Sequence, residues 1–257
     1  MFSIAALVPS PPMLVPELCG RVPVSGSDPD DPTVVLRAAA LAAAATLAAT
    51  ADRWFVVGVD SHDRIYGSAT RGTFRGFGAD VVVGLGPVGA EPGPADAQLP
   101  LPLLIAGWLR EQAAPRISVR ARLFAADASP AACAEAGAAL RAELDNEQDP
   151  YAVLVVADGA ATLTVKAPGY LDERAHEVQY DLDAALRAGS RAGLAALEPE
   201  LCAALLVDGR AAYQVLGGLF AADSADPRVR TLYQGAPFGV GYDVSVWEPG
   251  GEEGSGE

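Results

Sequence analysis

One continuous apolar segment, residues 55–59, constrains the fold of this chain more than any other feature of its sequence. It is followed at once by three polar residues, Asp60, Ser61 and His62. A short, wholly apolar run that ends in polar residues predicts a buried strand that delivers those residues into a loop. In open α/β sheets, ligands bind beyond the carboxyl ends of the strands, so we expect any functional site at this loop.

The order of segments along the chain predicts an α/β fold with a mostly parallel central sheet flanked by helices. Strands are predicted at residues 4–8, 55–59, 80–85, 117–125, 151–157, 229–234 and 240–247. Helices are predicted at residues 34–51, 101–112, 130–144, 172–188, 199–206 and 211–222. Their alternation forms β-α-β units, which favour parallel pairing of the strands. Thr33 is the expected N-cap of the first helix.

The chain is expected to form a single domain over residues 1–247, because no linker or repeat divides it and 51% of its residues are hydrophobic. Residues 248–257 are rich in Gly and Glu, which predicts a disordered acidic tail. The net charge of −15 argues against nucleic acid and anionic membranes as partners. We find no signal peptide and no apolar run of membrane-spanning length, and we therefore expect a cytoplasmic protein.

Several polar and aromatic residues are candidates for a pocket at the predicted sheet edge. Ser10 lies in a Pro-rich turn that must end the first strand, because proline lacks the N–H that a ladder needs. The other pocket candidates follow strands or lie in later turns: Asp60, His62, Asp158, Tyr170, Arg210 and Tyr242, with Tyr66 beside them. Aromatic walls with a few polar groups suit a small aromatic or acidic ligand. The alternative is that the tyrosines pack with their hydroxyls at the rim.

A Gly-rich loop at residues 63–79 carries Arg64, Arg71 and Arg75 in an otherwise acidic protein. Guanidinium groups pair bidentately with carboxylates, so this loop is a second candidate for receiving an anionic group. The alternative is a solvated surface loop.

Three segments resemble a bacterial branch of the class III extradiol dioxygenase B-subunit family, whose superfamily includes the Memo proteins. They are Lys-Ala-Pro-Gly-Tyr-Leu-Asp at 166–172, Asp-Gly-Arg at 208–210 before a helix, and Ala-Pro-Phe-Gly-Val-Gly-Tyr at 236–242. The turn Val-Pro-Ser-Pro-Pro at 8–12 and the strand end at His62 fall where the family's two metal-ligand segments fall. The resemblance covers nearly the whole chain and implies an extradiol dioxygenase B-subunit/Memo-like fold.

The resemblance implies an Fe(II) site held by two histidines and one carboxylate, with a further histidine as acid/base. In this chain the first ligand position is Ser10, the second is His62, and the carboxylate position is Asp208. The acid/base position falls on Ala160 or Ala161. A serine hydroxyl is a poor substitute for imidazole, and alanine accepts no proton. The resemblance therefore implies an incomplete metal and acid/base set.

Alternatives stay open for the individual residues. His62 is expected to hydrogen-bond to Asp60 or Asp158 if it holds no metal. Asp208 is either a ligand or the N-cap of the helix that follows it. A nucleophilic set of Ser10, His62 and an aspartate would require the two strand ends to adjoin.

Three functional hypotheses follow from these residues. The first is a dioxygenase-like protein that is not an active ring-cleavage enzyme but keeps a small-molecule pocket. The second is an oxidoreductase or hydrolase that uses Fe(II) or Zn, held by His62, Asp208 and a third ligand such as Asp60 or Asp158. The third is a structural or interaction module, with a homodimer as one form of it.

Overall fold

The structure, a computed structural model, describes residues 1–20, 29–87, 89 and 93–250. Within these residues the chain forms nine β-strands and seven α-helices. The strands are β1 Phe2–Val8, β2 Arg53–Asp60, β3 Arg64–Tyr66, β4 Arg71–Thr73, β5 Val82–Gly84, β6 Ser118–Ala125, β7 Tyr151–Val156, β8 Ala225–Gly235 and β9 Tyr242–Gly250. The helices are α1 Pro32–Thr50, α2 Leu101–Ala113, α3 Pro130–Asp145, α4 Ala175–Ala188, α5 Arg191–Ala195, α6 Pro199–Ala204 and α7 Arg210–Leu219.

Seven strands form the central sheet in the order β3-β6-β2-β7-β1-β9-β8. The inner strands β6, β2, β7 and β1 pair in parallel. Every residue of β7 is buried, because helices cover both faces of the sheet. The predicted α/β fold with a large, mostly parallel central sheet flanked by helices is confirmed.

The strands at both edges of the sheet are antiparallel to their neighbours. At one edge β9 pairs with β1 and β8 pairs with β9, and at the other edge β3 pairs with β6. The strand predicted at residues 80–85 does not join this sheet. Its central part is β5, which pairs with β4 in a separate two-stranded sheet. Both β3 and β4 lie in the segment predicted as a loop, since strands of three residues carry too little periodicity to be recognised.

Successive residues of the inner strands face two apolar layers on opposite sides of the sheet. In β1, Ala6 and Val8 contribute to the layer formed with α1 and α2. Ala5 and Leu7 contribute to the layer formed with α3, α4 and α7. Because side chains alternate along a strand, both helical layers pack on the same four parallel strands.

Helix α1 begins differently from the prediction. Asp31, not Thr33, is the N-cap, and its side chain accepts a 2.7 Å hydrogen bond from the backbone N–H of Thr33. By length and composition alone, α1 is apolar enough to cross a membrane, which corrects the expectation that no segment is. Its buried residues instead belong to the apolar layer on β1: Leu36, Ala39, Ala40, Ala43, Ala44 and Leu47. A core helix of an α/β protein has the same apolar composition.

Strand β9 extends further than predicted, because it continues through Gly250, which is buried. Residues 248–250 therefore belong to the sheet and not to the predicted acidic tail. The rest of that predicted tail, residues 251–257, lies outside the described residues.

Candidate functional site

A cavity of about 230 Å³ lies at the carboxyl ends of the inner strands. The residues that line it come from the ends of β1, β2, β6 and β7 and from the starts of α2 and α7: Ser10, Val59, Asp60, Pro102, Ala126, Val156, Ala157, Asp158, Asp208 and Gly209. Parallel strands all end at the same edge of a sheet, so residues that are distant in sequence meet there. The cavity lies where the sequence predicted a site, and four of the candidate residues line it.

Ser10 binds the carboxylate of Asp158 with two donors. Its backbone N–H donates a 2.9 Å hydrogen bond to Oδ1, and its hydroxyl donates a hydrogen bond to Oδ2 of the same carboxylate. Ser10 follows Pro9 and precedes Pro11, and it is only 7% exposed. The proline turn therefore fixes Ser10 against the end of β7. The alternative of a nucleophilic set of Ser10, His62 and an aspartate is not formed, because Ser10 binds Asp158 and His62 contacts Ser61.

The surroundings of Asp158 both raise and lower the pKa of its carboxyl group. Burial raises the pKa of Asp158, because the charged form loses its hydration. The two hydrogen bonds from Ser10 lower this pKa, and the nearby Asp208 raises it again. The net effect raises the pKa of Asp158, so its carboxylate takes up a proton more readily than that of an exposed aspartate.

Asp208 faces the same cavity with an unpaired carboxylate. Its side chain makes no hydrogen bond or ion pair with any residue that the structure describes. The predicted capping role is wrong, since Gly209 occupies the N-cap position of α7 and no side chain caps this helix. Although the side chain is exposed, the surrounding protein removes enough water to raise the pKa of Asp208.

His62 is not among the residues that line the cavity. Its side chain is exposed, and its Nδ1 atom is 2.9 Å from the hydroxyl of Ser61. The predicted hydrogen bond to Asp60 or Asp158 is therefore wrong. After β2 the chain crosses the end of β6, where the Ala126 N–H donates to the Asp60 carbonyl, and it then descends as β3 on the far side. His62 therefore lies in the connection from β2 to β3, and it is not among the residues that line the cavity.

The expected metal ligands do not come together. In the part of the chain that the structure describes, no three His, Cys, Asp or Glu side chains lie close enough to hold a metal ion. His62 lies outside the cavity, and Ser10 is bound to Asp158. The residues present therefore do not fit the Fe(II) or Zn set of His62 and Asp208 with Asp60 or Asp158.

The positions expected for an acid/base histidine are also unsuited to proton transfer. Ala160 is fully buried, and its backbone N–H donates 2.8 Å to the side chain of Gln179. Ala161 is partly buried against the core. Neither position offers a titratable side chain.

Tyr170, Tyr242 and Arg210 do not line the cavity, contrary to expectation. Tyr170 is 65% exposed, whereas Tyr242 is buried, which raises the pKa of its hydroxyl. Arg210 is buried, and its guanidinium donates to the carbonyl oxygens of Ala126 and Ala128. Arg210 therefore supports the cavity wall at Ala126 and offers no group to a ligand. Tyr66 is partly buried on β3 and also lies outside the lining.

The arginines of the 63–79 segment do not face the cavity either. Arg71 donates a 2.7 Å hydrogen bond to the carbonyl oxygen of Gly93, and Arg75 forms an ion pair with Asp80. Arg64 is exposed on β3. The candidate anion site in this segment is thus not a common site for all three side chains.

Sequence reasoning missed the apolar part of the cavity lining. These lining residues have no polar or reactive group that would mark them in the sequence, and they reach the cavity only because they lie at strand ends and helix starts: Pro102, Ala126, Val156 and Ala157. Gly209 could have been predicted as a lining residue, because it lies between Asp208 and Arg210 in one of the segments that carry the family resemblance.

Comparison with solved structures shows a similar fold in a bacterial protein. This is the crystal structure of the uncharacterized protein JW3007 from Escherichia coli K12, with a TM-score of 0.54 and 13% sequence identity. The alignment covers 96% of this chain and 99% of that one. No protein-family profile and no curated protein matches the sequence. At this identity the likeness shows the fold alone.

Proposed function

We propose that this protein is a dioxygenase-like scaffold that does not cleave aromatic rings and instead binds a small cationic ligand at the carboxyl end of its sheet. The single observation that carries the proposal is the cavity lined by Asp60, Asp158 and Asp208. The family resemblance of the sequence and the α/β fold support the scaffold. The acidic side chains that line the cavity support a cationic ligand.

The charge of the cavity favours a cation over the aromatic or acidic ligand expected from the sequence. Among the described lining residues, three are aspartates and none is basic. Two unit charges 4 Å apart interact by about 4 kcal/mol at the effective dielectric of a protein surface, before desolvation is subtracted. This interaction is attractive for an ammonium group and repulsive for a carboxylate. The net charge of −15 also steers cations towards the protein.

Asp208 is the carboxylate best placed to receive an ammonium group, because it has no partner among the described residues. Asp158 already accepts two hydrogen bonds from Ser10, which leaves it fewer free lone pairs. We therefore assign the principal contact to Asp208 and an electrostatic contribution to Asp158 and Asp60.

The size of the cavity limits what can enter it. Its volume of about 230 Å³ is smaller than the roughly 300–1,000 Å³ of drug-sized ligand sites. A small amine head group fits this volume, and any larger ligand has to extend beyond the cavity.

Ring cleavage is not proposed because the donor set does not fit it. The first ligand position is a serine bound to Asp158, His62 lies outside the cavity, and the acid/base positions are alanines. Oxygen uptake measures this directly. After anaerobic loading with Fe(II), we expect no uptake above the Fe(II) blank with protocatechuate. Uptake that His62→Ala abolishes would contradict the proposal.

Calorimetric titration with methylamine and propylamine, against acetate and benzoate, tests the ligand class. We expect both amines to bind and both acids to fail. Asp208→Asn should weaken amine binding about 10–100-fold, the range for losing a hydrogen bond to a charged group. Glu177→Gln, which removes an exposed carboxylate on α4, is the matched control and should bind like the unmodified protein. Equal binding of amines and acids, or unchanged binding by Asp208→Asn, would overturn the proposal.

A further inference from the structure

A second cavity, of about 210 Å³, lies beside the edge strand β3, on the side of the sheet that α3 covers. Its apolar lining comes from β2, β3, β6 and α3: Phe55, Ile65, Phe124, Ala136, Ala139 and Leu140. In the part of the chain that the structure describes, β3 is the last strand of the sheet on this side, so no further strand flanks the cavity. The second cavity shares no lining residue with the cavity that the three aspartates line.

Ile65 lines this second cavity and is nevertheless 73% exposed, more than any other large aliphatic side chain that the structure describes. Its partner on β6 is Arg122, which lines the same cavity, so the two side chains lie on the same face of the sheet. One surface therefore carries an exposed aliphatic side chain directly beside an apolar cavity. Exposed apolar surface of this kind is typical of association sites.

The charged groups at this surface are already paired within the chain. Arg122 donates hydrogen bonds of 3.0 and 2.7 Å to the two carboxylate oxygens of Asp63. Arg120 forms ion pairs with Glu143 at 3.0 Å and with Glu147 at 3.5 Å. An apolar occupant therefore covers the arginines without leaving either of them uncompensated, whereas an ionic ligand would have to displace a carboxylate.

The surface has the two properties that a contact between identical chains requires. A two-fold contact uses the same surface on both chains, so that surface must carry both a protruding group and the site that receives it. Ile65 and the cavity beside it meet this requirement. The two arginines and three carboxylates leave a net charge of only −1 here, compared with −15 for the whole chain, so a second acidic copy meets little local repulsion.

We propose that this surface is the interface of a homodimer, in which Ile65 of each copy enters the second cavity of the other. The aromatic and arginine side chains of the cavity are of the types that are enriched in interface cores. The inference goes beyond the proposed function and does not rest on it, because the two cavities have no lining residue in common.

Size-exclusion chromatography with light scattering, over a dilution series, measures the association. One chain has a mass of 26.3 kDa, and we expect the unmodified protein to have twice this mass and to dissociate on dilution. Ile65→Asp would bring an unpaired carboxylate to the cavity of the other copy, and Ala139→Arg would fill that cavity from α3. Each variant changes the contact twice in the dimer and should weaken association about 100-fold or more.

Val165→Asp is the matched control, because it places the same charge on another exposed aliphatic side chain that does not line the cavity. It should associate like the unmodified protein. Ile65 and Ala139 are exposed in the single chain, so both interface variants should unfold at the same urea concentration as dilute, monomeric unmodified protein. Association should also strengthen as salt is added, since salt screens the repulsion between two chains of net charge −15.

Three results would overturn the proposal. A mass of one chain at every concentration would mean that no second copy occupies the cavity and would leave it to a different partner. A dimer that persists in both Ile65→Asp and Ala139→Arg would have its contact elsewhere. Equal dissociation by Val165→Asp would show that the effect of the added charge is not specific to this surface.

Discussion

The backbone N–H of Gly209 donates a 3.1 Å hydrogen bond to the carbonyl oxygen of Asp158. This bond joins the start of α7 to the end of β7, and both of its residues line the cavity. A Cβ on Gly209 would lie 2.6 Å from that oxygen and 2.7 Å from Cβ of Ala157. The absence of a side chain at Gly209 therefore brings Asp208 and Asp158, 50 residues apart in the sequence, into one cavity.

Replacing Gly209 by alanine should separate these two elements. Gly209→Ala is expected to lower the free energy of unfolding by about 1–3 kcal/mol through overpacking. Urea denaturation measures the loss. Gly217→Ala is the matched control, because a Cβ there would meet no atom nearer than 3.5 Å. It should be neutral or stabilise α7 by about 0.4–1 kcal/mol. Equal stability of the two variants would show that the close approach at Gly209 is not needed.

Removing the Ser10 hydroxyl should make stability depend more strongly on pH. In Ser10→Ala the Asp158 carboxylate loses one of its two hydrogen-bond donors. Burial already raises the pKa of Asp158, and the loss of this donor raises it further. A carboxyl with a raised folded-state pKa loses stability as the pH rises through that pKa. We expect a loss of about 1–3 kcal/mol near neutral pH and a smaller loss in acid.

Urea unfolding of Ser10→Ala at pH 5 and pH 8 provides the comparison. Ser61→Ala, an exposed serine outside the cavity, is the control and should be neutral at both pH values. An equal loss for Ser10→Ala at both pH values would show that the hydroxyl does not act through the ionised form of Asp158.

Asp243 should make the free energy of unfolding measurably larger in acid than at neutral pH. It is buried in β9, where it accepts hydrogen bonds from Ser245 and Gln234, and burial raises its pKa from 3.8 to about 6. The nearby Asp183 also raises this pKa, and Arg187 lowers it. Its contribution is fully present below pH 3.8 and is lost as the pH rises through about 6.

The size of this effect follows from the two pKa values. A rise from 3.8 to about 6 corresponds to about 3 kcal/mol between the ends of that range. The difference in unfolding free energy between the unmodified protein and Asp243→Asn should therefore change by an amount of this order from pH 4 to pH 7. Urea midpoints across that range test it. A constant difference would mean that Asp243 has an ordinary pKa in the folded protein.

Replacing His62 should have little effect on the protein. The side chain is exposed and contacts Ser61, so His62→Ala should change the free energy of unfolding by no more than about 0.5 kcal/mol. Metal analysis of protein purified without a His tag should find less than about a tenth of an equivalent of iron or zinc. A full equivalent of metal that His62→Ala removes would show that His62 is a ligand.

The strand pattern was predictable from the sequence, and the edges of the sheet were not. The continuous apolar runs at residues 55–59 and 151–157 require burial on both faces, which only a parallel sheet between helices provides. The three-residue strands β3 and β4 depend on pairing with other segments, so no local periodicity announces them. The N-cap Asp31 was missed by two positions, although Pro32 marks the first turn of α1.

The sequence by itself determined that Ser10, Asp60, Asp158 and Asp208 follow strands or precede a helix, and so meet at one edge of the sheet. Tertiary structure alone decided which of the candidates face the cavity. His62 lies in the connection from β2 to β3 and does not line the cavity, and the hydrogen bonds of Arg210 hold its guanidinium at the carbonyls of Ala126 and Ala128. The physical reason is that a strand end fixes a residue's position, whereas long-range pairing and hydrogen bonding fix the direction of its side chain.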